Sequence, residues 1–201
     1  MSRSLAAGGV IALAIACGLV LSQHPSQSVP LDTQNTALEW LADPRPIAKF
    51  TLSSGAGDVT NDSLKGHWHF LVLGFTHCPD LCPTTLTELA RLRTTLADER
   101  ARVLFVSVDP DRDSPARLAG YVEFFGTGIT GITGEKPQLK RLANSLGMDF
   151  RHDGATTFPR ISHSPTIALI GPDGYLRGRL RPGFDVQKAA REIILQLRAA
   201  S

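Results

Sequence analysis

Three cysteines in 201 residues are too few for a small domain stapled by disulfides, in which dense bridging compensates for a thin core. Charge of one sign is missing too: 21 Lys plus Arg stand against 19 Asp plus Glu, a net of +2. The basic residues form no dense cluster that could track a phosphate backbone, so no nucleic-acid partner is expected. No collagen or coiled-coil repeat is present, and there is only one long apolar run, which excludes a multi-span membrane protein. What the chain does have is a hydrophobic fraction of 42%. That is too apolar for disorder and enough, at this length, for one packed domain.

The single apolar run, Leu5 to Leu21, follows Arg3 and precedes the first acidic residue, Asp32. As a helix it would span about 26 Å, short for a bilayer core, so a cleaved signal and a retained anchor both fit. We read residues 1–22 as a single anchor. Arg3 keeps the amino end in the cytosol and the rest outside it. Cys17 is read as a small buried apolar residue rather than a lipid attachment point, because Leu19, Val20 and Leu21 follow it. Residues 23–46, rich in Ser, Gln, Pro and Thr, are expected to form a flexible tether. A helical turn is expected over Thr36 to Ala42, stopped by Asp43-Pro44-Arg45-Pro46. The domain is then 47–201. The sequon Asn61-Asp62-Ser63 carries little weight, since three-residue matches are common by chance.

Within the domain the pattern alternates strand and helix. Phe50–Leu52 and Asp58–Thr60 predict a hairpin. His67 to Phe75 is near-continuously apolar, as in a strand buried on both faces. Leu86, Leu89, Leu92 and Leu96 recur at helical spacing within a helix predicted over Thr84 to Arg100. Val103–Val108 is a second buried strand, and Ser114-Pro115 supplies the cap and first residue of a helix reaching Tyr121–Phe125. A helix over Lys136–Leu146, strands over Pro165–Ile170 and Tyr175–Leu180, and a helix over Asp185–Ala199 follow. The order predicts an α/β sandwich with a mixed sheet.

Cys78 and Cys82 lie where the first long strand gives way to its helix, the carboxyl end of a strand, where open α/β sheets place their sites. Four residues apart on one helical turn, their sulfurs can share a metal or close a disulfide. Helix amides there are expected to favour thiolates. A third metal ligand would have to come from a distant segment. His163, in the polar loop ahead of Pro165, is the candidate, with a surface or hydrogen-bonding role as the alternative. His77 is expected to point away, His67 and His69 lie at the far end of their strand, His24 is in the tether and His152 in a polar loop. Two thiolates and one imidazole would suit Cu(I) better than Zn(II), which wants four ligands, and do not suit Ca(II) or Mg(II).

The stretch Gly74-Phe75-Thr76-His77-Cys78-Pro79-Asp80-Leu81-Cys82-Pro83, then Val106-Ser107-Val108-Asp109-Pro110-Asp111-Arg112-Asp113, then His163 ahead of Gly171-Pro172-Asp173-Gly174, closely resembles the Sco/SenC family of cytochrome oxidase assembly proteins, over residues from about Pro46 onward. The resemblance implies a thioredoxin-like fold with an added N-terminal β-hairpin and a single N-terminal membrane anchor. It also implies copper bound by Cys78, Cys82 and His163, as Cu(I) with Cu(II) as a second allowed state. The implied task is delivery of copper to the binuclear site of cytochrome c oxidase, so the implied partner is its copper-accepting subunit, with the upstream donor unspecified. The anchor would place the domain on the periplasmic face of a bacterial inner membrane, or its extracytoplasmic equivalent. The family also places Asp109, Arg112 and Asp113 near the metal or a partner surface, where the plain alternative is an ordinary turn leading into a helix.

Other signals are weaker. Asp109, Asp111 and Asp113 open like a calcium loop, but the loop's glycine and closing glutamate are missing. Gly126-Thr127-Gly128-Ile129-Thr130-Gly131 spells a dinucleotide fingerprint in the wrong context, after a helix and before a strand. Arg177, Arg179 and Arg181 alternate onto one strand face, as charge guarding a sheet edge would. Besides a copper carrier, the residues allow a thiol-disulfide oxidoreductase using Cys78 and Cys82, or a sensor that changes partner with its redox or copper state.

Overall fold

The computed structural model describes residues 37–79, 81–97, 100–153 and 160–199. The segment expected to anchor the chain, which contains Cys17, and the part of the expected tether that contains His24 lie outside them. Among the described residues no helix is long and apolar enough to cross a membrane. The strands are β1 (Leu38–Pro46), β2 (Thr51–Ser54), β3 (Gly57–Thr60), β4 (Trp68–Gly74), β5 (Ala101–Ser107), β6 (Ile129–Thr133), β7 (Phe150–Asp153), β8 (Arg160–His163), β9 (Ile167–Ile170) and β10 (Tyr175–Leu180). The helices are α1 (Leu81–Leu96), between β4 and β5; α2 (Pro115–Glu123), between β5 and β6; α3 (Lys136–Ser145), between β6 and β7; and α4 (Val186–Ala199), after β10.

Eight strands form one mixed sheet in the order β1-β10-β9-β4-β5-β6-β2-β3, while β7 and β8 form a separate two-stranded sheet. β4, β5 and β6 are parallel, and the remaining pairings are antiparallel. β4 occupies the middle because every one of its residues is buried, as a strand covered on both faces requires. Phe70 and Val72 face the layer built from Leu86 and Leu89 of α1, Leu118 of α2 and Ile193 of α4. Leu71 and Leu73 face Leu139 and Leu142 of α3. Leu86, Leu89 and Leu92 are fully buried, each contributing roughly 1.5–3 kcal/mol of transfer free energy. That stripe, more than helix propensity, fixes α1 on the sheet and so fixes the cysteines at its start.

The expected mixed α/β sandwich and added hairpin are present, with β2–β3 joined to the sheet through β6. Ser114 caps α2 as expected, accepting from the Arg117 N–H at 3.2 Å. Four expectations need correction. The last part of the proposed tether, from Leu38 to Pro46 and so through most of the turn expected up to Ala42, is the edge strand β1. It pairs with β10, and Trp40 meets Trp68 edge-on at 6.0 Å; its prolines are tolerated because an outer strand leaves some N–H groups unused. β10 is consequently an interior strand, so its arginines do not guard an edge; Arg179 instead donates to the carbonyl of Leu146 at the end of α3, at 3.1 Å. α1 begins three residues before the predicted Thr84 and ends at Leu96, where Ala97 takes φ 49°. Finally, β7 and β8 replace the polar loops expected around His152 and His163. Asn61 of the sequon serves the backbone, accepting from Phe50 N–H and donating to Ala48 O.

Candidate metal centre

β4 ends at Gly74, and the chain turns through Phe75-Thr76-His77 to Cys78, whose N–H donates to the Phe75 carbonyl at 3.2 Å. Thr76 anchors this turn. Its N–H and its hydroxyl both donate to the Asp113 carboxylate, at 2.8 and 2.5 Å, and Ser107 Oγ at the end of β5 donates to the same group at 2.6 Å. Asp113 is fully buried, and three donors are what allow a carboxylate to remain there. Cys78 is half-buried, whereas Cys82, one residue into α1, is only 3% exposed.

His163 closes the cluster. Its Nε2 lies 3.6 Å from Cys82 Sγ, and its Nδ1 lies 3.1 Å from the Ser164 carbonyl. A carbonyl can only accept, so Nδ1 carries the proton and the Nε2 lone pair faces the sulfurs, the tautomer a metal requires. The Phe75 ring meets the imidazole edge-on at 6.1 Å. One potential ligand atom from each of Cys78, Cys82 and His163 falls within 4.8 Å of the others, the one such group of three or more among the described residues. A segment 81 residues downstream of Cys82 has therefore folded back onto the start of α1.

The electrostatics differ from expectation at Cys82. Burial, then the hydrogen bond with Cys78 and the negative charges nearby, push its thiol well above the usual range, so desolvation outweighs the helix amides expected to yield a thiolate. Burial also lowers the His163 pKa, leaving its imidazole neutral. Tyr121 of α2, tilted against Phe105 with ring centroids 5.5 Å apart, is raised to about 12, chiefly by burial. Both cysteines are free thiols here rather than a disulfide.

The other candidates separate. His77 turns its Nδ1 toward Thr76 Oγ1 at 3.2 Å and Asp113 Oδ1 at 4.0 Å. His69 is buried at the opposite end of β4 beside His67, and His152 packs on Phe150 in β7. The three aspartates diverge: Asp109 pairs with Arg112 and Asp111 with Lys136, while Asp113 braces the cysteine turn, so they do not form a calcium loop. Sequence reasoning missed Gly74. A Cβ there would lie 2.4 and 2.9 Å from Phe105 ring carbons and 3.0 Å from Cys82 Sγ. A lone glycine closing a strand of large residues is the signal that marks such a close approach.

The SCO1/SenC family model matches residues 42–198. A protein of Stutzerimonas stutzeri, proposed by its name to bind copper, is 38% identical over 177 residues, which cover 86% of this chain and 85% of that protein. The human mitochondrial SCO1 homolog is 32% identical over 135 residues, 62% of this chain but 44% of that protein, so the chain spans less than half of that relative. The solved structure of Arabidopsis thaliana ScoI with copper bound matches with a TM-score of 0.70 at 28% identity, covering 76% of this chain and 98% of that one.

Proposed function

Since the chain belongs to the SCO1/SenC family, we propose that it carries copper, holding Cu(I) with Cys78, Cys82 and His163 and passing it by ligand exchange to the copper-accepting subunit of cytochrome c oxidase. The observation that carries this reading is the convergence of the three ligand atoms within 4.8 Å. Two sulfurs and one imidazole nitrogen form a soft, three-coordinate set that Cu(I) accepts, whereas Zn(II) would want a fourth ligand. The nearby Asp113 carboxylate is already engaged by Thr76 and Ser107. Access supports a direction for exchange. Cys82 is buried and Cys78 half-buried, so an incoming thiolate displaces Cys78 first while Cys82 and His163 keep the ion until it is handed over. In this proposal residues 1–22 anchor the chain, and the domain faces the periplasm or its extracytoplasmic equivalent. Copper analysis tests the assignment: reduced protein passed over a chelating column retains one copper per chain, and His163→Ala retains far less. Equal retention removes His163 from the site, and no retention by the wild type overturns the proposal.

The free, adjacent thiols favour one second reading, reduction of a partner's disulfide. Cys78 sulfur would bond to one partner sulfur as the partner's S–S bond breaks and its other sulfur leaves as thiolate. Cys82 would then attack Cys78, releasing the second partner thiolate and leaving a Cys78–Cys82 disulfide for an external dithiol to reduce. Cys82 is buried and Cys78 half-buried, so access assigns first attack to Cys78. Turnover of a disulfide substrate by copper-free protein would favour this reading.

A further inference from the structure

His163 ends β8 in the small sheet that stands apart from the eight-stranded one, so its distance from the cysteines is set by contacts at the base of the β7–β8 pair rather than by pairing into the main sheet. At that base Ser164 N–H donates to the Asp149 carbonyl at 2.8 Å, and Asp149 N–H donates to Ser164 Oγ at 2.9 Å. Phe150 faces His163 directly in the β7–β8 register. Both Asp149 and Phe150 are held by one side chain of another element. Lys140 of α3 pairs its ammonium with the Asp149 carboxylate, donates to the Phe150 carbonyl at 2.7 Å and sits 4.8 Å from the centre of the Phe150 ring. Arg151 approaches the same carboxylate at 3.6 Å. α3 is itself fixed on the sheet through Leu139, Leu142 and Ala143.

We propose that Lys140 is a positioning residue for His163: it ties the base of the β7–β8 pair to the rigid α3 and so holds the imidazole where its Nε2 meets Cys82. The proposal rests on reading His163 as a ligand, and Lys140 itself touches neither sulfur nor copper. Its grip combines an ion pair, a charge-assisted hydrogen bond to a carbonyl and a cation–π contact, all aimed at two adjacent residues. Because the Lys140 and Asp149 side chains are 42% and 48% exposed, the ionic part is open to screening, and salt loosens the grip.

Lys140→Met keeps the aliphatic stem and removes the charge, while Lys140→Arg keeps the charge. In the reduced, copper-free full chain, hydrogen exchange at the Ser164 amide reads the base of the pair directly; in the copper-loaded chain, competition with a chelator reads Cu(I) affinity. Lys140→Met is expected to speed Ser164 exchange and weaken Cu(I) binding, each by about three- to tenfold, with β4 amides unchanged and Lys140→Arg close to wild type. Raising the salt to about 1 M, where screening acts over roughly 3 Å, moves the wild type toward the Met variant. Unchanged Ser164 exchange in Lys140→Met overturns the proposal, and so does acceleration spread evenly over all amides, which would mark a general loss of stability. If exchange responds as expected but the wild type takes up no copper, the clamp stands and the copper reading fails. If His163→Ala loses copper while Lys140→Met binds it as the wild type does, the copper reading stands and the clamp fails.

Discussion

Replacing Gly74 by alanine is expected to damage core and site together. The added methyl would sit 2.4 and 2.9 Å from two Phe105 ring carbons and 3.0 Å from Cys82 Sγ, against an ordinary carbon–carbon contact of about 3.5–4.0 Å. Neither neighbour has room to retreat. Phe105 is fully buried and carries Tyr121 on its ring, Gly74 pairs with Ser107 in the middle of the sheet, and Cys82 is fixed by the leucine stripe of α1. Overpacking of this kind costs about 1–3 kcal/mol, which for a domain of this size lowers Tm by roughly 2–12 °C. Pushing the Cys82 sulfur aside also spoils its alignment with His163, so Cu(I) affinity is expected to fall about tenfold, or ~1.4 kcal/mol. Thermal unfolding of the copper-free protein and chelator competition of the loaded one measure the two effects separately. Wild-type Tm and wild-type affinity in Gly74→Ala would refute the idea that this glycine exists to let Phe105 and Cys82 close over the strand.

Two pH dependences follow from buried groups. Burial holds the His69 imidazole down at about 4 while the unfolded chain titrates near 6.5. Above that range both states are neutral; within it the unfolded state binds a proton that the native state refuses; below it both are charged. Stability therefore falls as pH drops from about 6.5 to about 4, by ~3 kcal/mol in all. Denaturant unfolding of wild type and His69→Leu at pH 7.5 and 4.5 checks this, and an equal acid loss in both would contradict it. Copper binding carries a slope of the same sign, from a different group: burial and the neighbouring Cys78 keep Cys82 protonated, and binding must expel that proton. Cu(I) affinity is thus expected to rise at least about tenfold per pH unit between pH 6 and 8, and a flat profile would exclude Cys82 as a thiolate ligand.

The buried parts of the fold and the reactive residues were legible in the sequence because each leaves a local signature. Leucines at 86, 89, 92 and 96 announce the face of α1, and the unbroken apolar run of β4 announces a central strand. The strand-to-helix junction announces where Cys78 and Cys82 stand. β1 was not legible, because Asp43-Pro44-Arg45-Pro46 has the composition of a linker; it is a strand by virtue of β10 and the Trp40–Trp68 contact, neither of which is local. β7 and β8 are short and polar, and β8 matters mainly for what it carries. The protonation of Cys82 is not legible in the sequence, because spacing shows the helix amides but not the burial that outweighs them. Lys140 and Asp149 are nine residues apart across a turn, a separation at which no periodicity links a helix to the strand it steadies.

X-ray absorption at the copper edge of the reduced, copper-loaded protein addresses the ligand assignment most directly. Two sulfur neighbours and one imidazole nitrogen are expected around Cu(I), with the nitrogen lost in His163→Ala. A shell without nitrogen in the wild type, or one dominated by oxygen, would contradict the assignment of Cys78, Cys82 and His163 as the copper site.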